Sequence, residues 1–402
     1  MKKAGMELNS VYPILGGGTT EIVDWALCVG AGISLPLFPS WNELAERIYK
    51  KITGKDYPQS KLLQGFNNDS IIEAIYLLTD KCDYANYVKL LSDTLYENLN
   101  KNFNKKEWDS FCRFLFFKNP NSVSEDTWNV VEQKIDLLKG TNAFKIAEVL
   151  NKLICTEREP LAVLSFNGEP ILQGCLSYLI HKEKCGKKGH VEKQYLEFFT
   201  SSISQKNKNR LPFYYCHGLL PVFIDDKVVN SKVYNQEKLV FLESEYMNQM
   251  NTTFSWSSAS FSNVIRNSRV VFVGVSLTDP NMRRWLSWIH KERVEDIEAF
   301  NRNNHMPTGA PRVSTNHVWI NKKPKSNQEK ALIEAVVANL GVRLLWIDDW
   351  NQVPLALEKL LGISESIKPE KSTSFPTHIQ NQHKRNRIPP KWQNAKKRNS
   401  LR

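Results

Sequence analysis

Short apolar runs alternate along this chain with longer stretches in which apolar residues recur every three or four positions, and that alternation sets its first reading. The opening run is Trp25-Ala-Leu-Cys-Val29, which ends in Gly30-Ala31-Gly32-Ile33-Ser34. Ser40-Trp41-Asn42-Glu43 then has the form of a capping box, and Leu44, Ile48 and Ile52 follow at helical spacing. From about 58 to 157 the pattern is mostly helical: Ile71 to Leu78, Val88 to Leu95 and Ala147 to Ile154 are three amphipathic stretches. Strand signals return at Leu161–Phe166, Phe213–Cys216, Leu239–Leu242 and Val270–Val273, and again at His317–Ile320 and Val342–Ile347. Helical patterns stand between or after them at Phe261–Asn267, Asn281–Lys291, Lys330–Leu340 and Val353–Leu361, with Gly341 and Gly362 at C-cap positions.

Strands alternating with helices predict an α/β fold, a Rossmann-like doubly wound parallel sheet. A large helical module is expected as an insertion at about 58–157. The reading places one domain over 1–362 and a basic flexible tail over 363–402. Composition changes this picture little for the body and more for the tail. The hydrophobic share of 41% supports a substantial core. The net charge is +12, and residues 363–402 supply ten Lys/Arg against Glu365 and Glu370. The tail thus holds most of the charge, and the body is close to neutral. No apolar run reaches the roughly 20 residues of a membrane helix, and the N-terminus lacks a signal-peptide pattern. A cytoplasmic protein without membrane contact is expected. Seven widely spaced cysteines make a disulfide framework unexpected.

Candidate chemistry sits at the ends of the strands, where parallel sheets bind ligands. Gly30-Ala31-Gly32 allows a pyrophosphate to approach the backbone, or serves as a tight structural turn. Asn167, in Ser165-Phe-Asn-Gly-Glu169, can hold a water or a ribose hydroxyl, or open an Asn-Gly turn. His217, in Cys216-His-Gly218, can act as a general base or be a loop histidine. Gly274-Val-Ser276-Leu-Thr-Asp279 offers ribose-binding groups, or an N-cap ahead of Pro280.

Taken together and in this order, these motifs resemble the sirtuin-like superfamily over residues 25 to about 290. Gly30-Ala-Gly-Ile-Ser34, Pro39-Ser-Trp41-x-x-Leu44, Glu245-Tyr246 and Gly274-x-Ser-Leu-x-Asp-Pro-Asn281 resemble its bacterial branch found in antiphage defence. The resemblance implies Asn167 and His217 as the catalytic pair. It implies Gly30, Ala31, Gly32, Ser34, Glu169, Gly274, Ser276 and Asp279 as the dinucleotide site, with NAD as substrate. Two departures matter. The paired Cys-x-x-Cys zinc module of protein-deacylating sirtuins is missing; Cys175, Cys185 and His190 come nearest and fit no usual zinc spacing, so no metal is expected. Glu169 stands where the family has Asp. The implied activity is NAD glycohydrolysis that depletes the cofactor, with protein deacylation or ADP-ribosyl transfer as the alternative. The implied context is a homo-oligomer working beside a partner such as a HerA-type hexameric ATPase or a short Argonaute. The basic tail is open to a nucleic acid or to an acidic protein surface.

Overall fold

The computed structural model describes residues 24–79, 83–116, 123–183, 195–201, 210–224, 227–229, 239–252, 255–303 and 317–363. The apolar runs form strands in chain order: β1 (Trp25–Val29), β2 (Val163–Ser165), β3 (Tyr195–Phe199), β4 (Arg210–Tyr215), a small hairpin of β5 (Phe223–Ile224) and β6 (Lys227–Val228), then β7 (Arg269–Val273), β8 (His317–Lys322) and β9 (Val342–Ile347). Seven of these make one sheet, ordered β3-β4-β2-β1-β7-β8-β9. All neighbours are parallel, and Cys28 of β1 lies in register with Leu164 on one side and Phe272 on the other.

Parallel strands covered on both faces need apolar side chains at every position. β1 meets that need throughout, and β7 from Val270 to Val273. Trp25, Leu27, Val29, Val271 and Val273 enter one core, whereas Ala26, Cys28, Val270 and Phe272 enter the other. Thirteen helices are described: α1 (Trp41–Thr53), α2 (Asn68–Leu77), α3 (Tyr84–Asn100), α4 (Lys105–Leu115), α5 (Glu125–Lys134), α6 (Asp136–Lys139), α7 (Asn142–Cys155), α8 (Ile171–Glu183), α9 (Glu243–Asn251), α10 (Trp256–Asn267), α11 (Pro280–Asn303), α12 (Asn327–Ala338) and α13 (Val353–Leu360). α1 to α8 and α13 supply the first core, and α10 to α12 the second. The helices between β1 and β2 therefore build one layer of the sheet's own core. α1 starts at the expected capping box: Ser40 Oγ accepts from the Glu43 N–H, and Glu43 accepts from the Ser40 N–H at 2.7 Å.

Several elements depart from the expectation, the β5–β6 hairpin and α9 among them. Leu239–Leu242 is not a strand; it is a buried extended segment whose Val240 N–H donates to the His217 carbonyl at 3.1 Å. Its apolar character serves packing beneath that loop. β3 was not foreseen, because Glu197 interrupts its apolar run; the carboxylate is only 6% exposed and lies 3.8 Å from Arg210. α8 carries no amphipathic stripe because it is buried nearly all round, Gln173 and Ser177 included. Cys28, Cys112, Cys175 and Cys216 are free and buried. Cys155 is disulfide-bonded, against the expectation from the cysteine spacing. Cys82, Cys185, His190 and the tail 364–402 lie outside the described residues.

Candidate active site

β1 lies where the strand order reverses, between β2 and β7. Open parallel sheets carry their ligand crevice at that point, beyond the carboxyl ends of the strands. A cavity of about 470 Å³ occupies this position. Gly30, Ala31 and Gly32 after β1, Phe166 after β2, His217 after β4 and Gly274, Val275, Ser276, Thr278 and Asp279 after β7 line it.

The glycines are explained first by contact between two backbones. A Cβ on Gly30 would stand 2.6 Å from the Gly274 oxygen, and one on Gly32 would stand 3.0 Å from the Gly274 Cα. Gly274 itself has φ +66° and would bring a Cβ to 2.7 Å from the Ile33 nitrogen. The Gly30 and Gly32 amides donate to the Val273 and Gly274 carbonyls at 3.2 and 3.0 Å. The Ile33 and Ser34 amides close the 3-10 turn on Gly30 and Ala31. These four donors are thus taken, so the loop contributes shape and close approach more than a ring of amides.

Other anion donors surround the same space. The first turns of three helices line it: Ser40, Trp41 and Asn42 of α1, Asn67, Asn68 and Asp69 of α2, and Pro280 and Met282 of α11. Helix N-termini present unpaired N–H groups and positive dipole ends. None of the described residues lining the cavity is Lys or Arg, so a phosphate here would meet helix ends and polar side chains. The contribution of α2 was not foreseen. Asn67-Asn68-Asp69 before Ile71-Ile72 is a legible helix start, but its arrival at the β1 crevice is a tertiary matter.

His217 stands at the wall of this cavity, 4% exposed. Its Nε2 lies 3.1 Å from Asp279 Oδ2, and its Nδ1 lies 3.4 Å from the Tyr246 hydroxyl. The Phe166 and Tyr246 rings meet the imidazole edge to face at 4.8 and 5.1 Å. Nε2 and Oδ2 are buried, and their contact is not aligned as a hydrogen bond; such contacts tighten when substrate binds. Burial works against the Asp279 charge, but His217 and the amides of Met282 and Asn281 outweigh it and hold the carboxyl below its ordinary range. Asp279 also caps α11, accepting from the Met282 N–H at 2.8 Å. Both readings of this residue from sequence, ligand-side acid and helix cap, meet in one carboxylate. Leu277 before it is buried with φ +53°, a left-handed conformation that a branched residue adopts only under constraint. Ser276 pairs with Thr278 Oγ1 at 2.6 Å on the rim.

Asn167, Glu169 and Ser34 are set apart from this group. They line a smaller inner cavity of about 30 Å³, and Ala31, Trp41 and Phe166 belong to the walls of both. Glu169 Oε1 accepts from Ser34 Oγ at 2.5 Å and from Asn167 Nδ2 at 2.9 Å, while Oε2 accepts from the Ile171 N–H at 2.6 Å. Burial pushes the Glu169 carboxyl up to about 7 despite these three donors. Asn167 Oδ1 is buried without a hydrogen-bond partner. The sequence-derived pair therefore sits on either side of Phe166, His217 towards the outer cavity and Asn167 towards the inner one. Glu245 is structural: it accepts from the Phe241 and Leu242 amides at 2.6 and 2.9 Å and from the Tyr84 hydroxyl. Tyr246 next to it reaches the histidine, a role its place in a motif did not disclose.

No curated protein matches the chain. Residues 179–342 match the family model of the SIR2-like domain. The matched stretch includes His217, Tyr246, Gly274 and Asp279, whereas Gly30–Ser34 and Asn167 precede it. With the parallel sheet and the crevice at its reversal point, this match makes residues 179–342 similar to SIR2-like domains, a class of domain that uses NAD.

Proposed function

We propose that the crevice binds NAD and that the chain hydrolyses the bond between its nicotinamide and ribose. The observation that carries this reading is the position of His217, 3.1 Å from Asp279, in the crevice where the β1 and β7 glycines meet. Nicotinamide in NAD is already cationic, so its departure needs little acid catalysis. It needs a held dinucleotide and a site that tolerates a developing oxocarbenium charge. Helix ends and the open glycine turn suit the pyrophosphate; the Asp279 and Asp69 carboxylates suit the positive charge. Gly30, Ala31, Gly32, Gly274 and Ser276 form the dinucleotide wall in this reading, and His217 accepts a proton from the attacking hydroxyl. Asn167, backed by Glu169 and Ser34, holds the nucleophile. The inner cavity has room for no more than a few waters, so Phe166 or Trp41 must move for Asn167 to reach a bound ribose.

Protein deacylation and ADP-ribosyl transfer would use the same first step. Incubating the purified chain with NAD, with and without an acetylated peptide, and resolving products by chromatography separates the three. Nicotinamide and linear ADP-ribose formed without peptide support hydrolysis, cyclic ADP-ribose would show the same bond cleaved with an internal nucleophile in place of water, and intact NAD under all conditions overturns the reading. In the cell such an activity suits an antiphage effector that depletes NAD. It would require restraint by self-assembly or by a partner, for which a HerA-type ATPase and a short Argonaute are the candidates by family resemblance. Among the described residues no helix is long and apolar enough to cross a membrane.

A further inference from the structure

Both ring nitrogens of His217 are engaged by side chains from different elements. Asp279, at the N-terminus of α11, faces Nε2 at 3.1 Å, and Tyr246, on α9, faces Nδ1 at 3.4 Å. An ionised carboxylate can only accept, so Asp279 favours the ring proton on Nε2, although their contact is not aligned as a hydrogen bond and does not hold the tautomer by itself. In the neutral imidazole that leaves Nδ1 as the basic atom, and the Tyr246 hydroxyl lies over it. A phenol can donate to Nδ1 and, once Nδ1 is protonated, accept from it. The two supports are tied together: Asn281 Nδ2 of α11 donates to the Tyr246 carbonyl at 3.2 Å. Tyr246 and His217 both line the outer cavity, so the hydroxyl and the imidazole it faces border the same space.

We propose that Tyr246 acts with Asp279 to fix the His217 tautomer and relays the proton between the substrate and Nδ1. The inference rests on the reading of His217 as the proton acceptor. As water attacks the ribose C1′, its O–H proton passes to the Tyr246 oxygen while the Tyr246 proton passes to Nδ1. A C–O bond forms, the C–N bond to nicotinamide breaks, and its electron pair leaves with neutral nicotinamide. One proton remains on His217, balanced by Asp279. Burial, with Asp279 near, holds the phenol well above its usual range, so it keeps its own proton until the ring can take it.

The test pairs a spectrum with kinetics, using Tyr246→Phe in the full chain. Long-range nitrogen–proton correlation of the labelled imidazole should show His217 as the Nε2–H tautomer in the native chain, and a mixture of tautomers in Tyr246→Phe. Turnover of NAD should fall about a hundredfold in Tyr246→Phe, the worth of a positioned acid–base group, with KM within about twofold, since the variant removes only the hydroxyl and keeps the ring that lines the cavity. A native Nδ1–H tautomer, an unchanged spectrum in the variant, or turnover within about threefold of native overturns the relay. If the native chain cleaves no NAD, the functional reading fails instead, and the tautomer spectra still decide whether Tyr246 governs His217.

Discussion

At the scale of single residues, the site is a set of buried polar groups whose partners fix their states. Asn167 and His217 are each 4% exposed. Under the proposed activity, Asn167→Ala and His217→Ala should each lower NAD cleavage at least about a hundredfold. Circular dichroism should accompany the assay, because Asn167→Ala also removes a donor from Glu169. A folded variant with near-native turnover would remove that residue from the mechanism. Glu169 gives a prediction independent of activity. Its carboxyl stands at about 7 in the fold against an ordinary 4.5, so the folded chain keeps a proton that the unfolded chain releases between those values. The stability this gives is full below about pH 4.5 and is lost as pH rises through about 7, a change on the order of 3 kcal/mol. The urea midpoint of the native chain should therefore fall from about pH 5 to about pH 8, and Glu169→Gln should flatten that slope. An identical slope in the variant would place the titration elsewhere.

At the scale of elements, the strand ends after β1 and β7 are locked together. Gly30 and Gly32 press on Gly274, and Gly274 presses on Ile33. Side chains there are excluded by the fold itself, before any ligand arrives. Gly274→Ala combines a left-handed backbone with a 2.7 Å clash against backbone, and should destabilise the chain by about 2–3 kcal/mol. Denaturant unfolding without NAD checks this. A variant of native stability that has lost only NAD binding would show that the glycine serves the ligand alone. The crevice depends in the same way on α9, which carries Tyr246 and is anchored through Glu245 to Tyr84 of α3.

At the scale of the whole molecule, charge is divided unevenly. Residues 363–402 hold ten Lys/Arg and two acids within a chain of net +12, while the crevice is lined without Lys or Arg among the described residues. Removal of the segment after Gly362 should leave intrinsic NAD cleavage unchanged. It should weaken self-association, partner binding or nucleic-acid binding, and more so at low salt, where screening is least. Sizing and pull-down at low and moderate salt read this directly; unchanged association in every arm would assign the segment no docking role.

The class of fold and the order of the motifs are legible in the amino-acid pattern. Buried parallel strands are apolar where both faces are covered, and β1 and the Val270–Val273 run of β7 read that way without any structure. The capping box at Ser40, the strand-end glycines and the strand-end Asn and His are local signals, since each states its own geometry within a few residues. Tertiary structure decided which of these groups meet. Asp279 read as a ligand-side acid or a helix cap, and only the docking of α11 against the β4 loop sets it 3.1 Å from His217. Tyr246 and the α2 N-terminus reach the crevice from helices separated from it by long stretches of chain. The wall between Asn167 and His217 is Phe166, an aromatic that sequence would assign to the core. Periodicity records whether a residue is buried, but the partner it is buried against depends on chain segments far away in sequence.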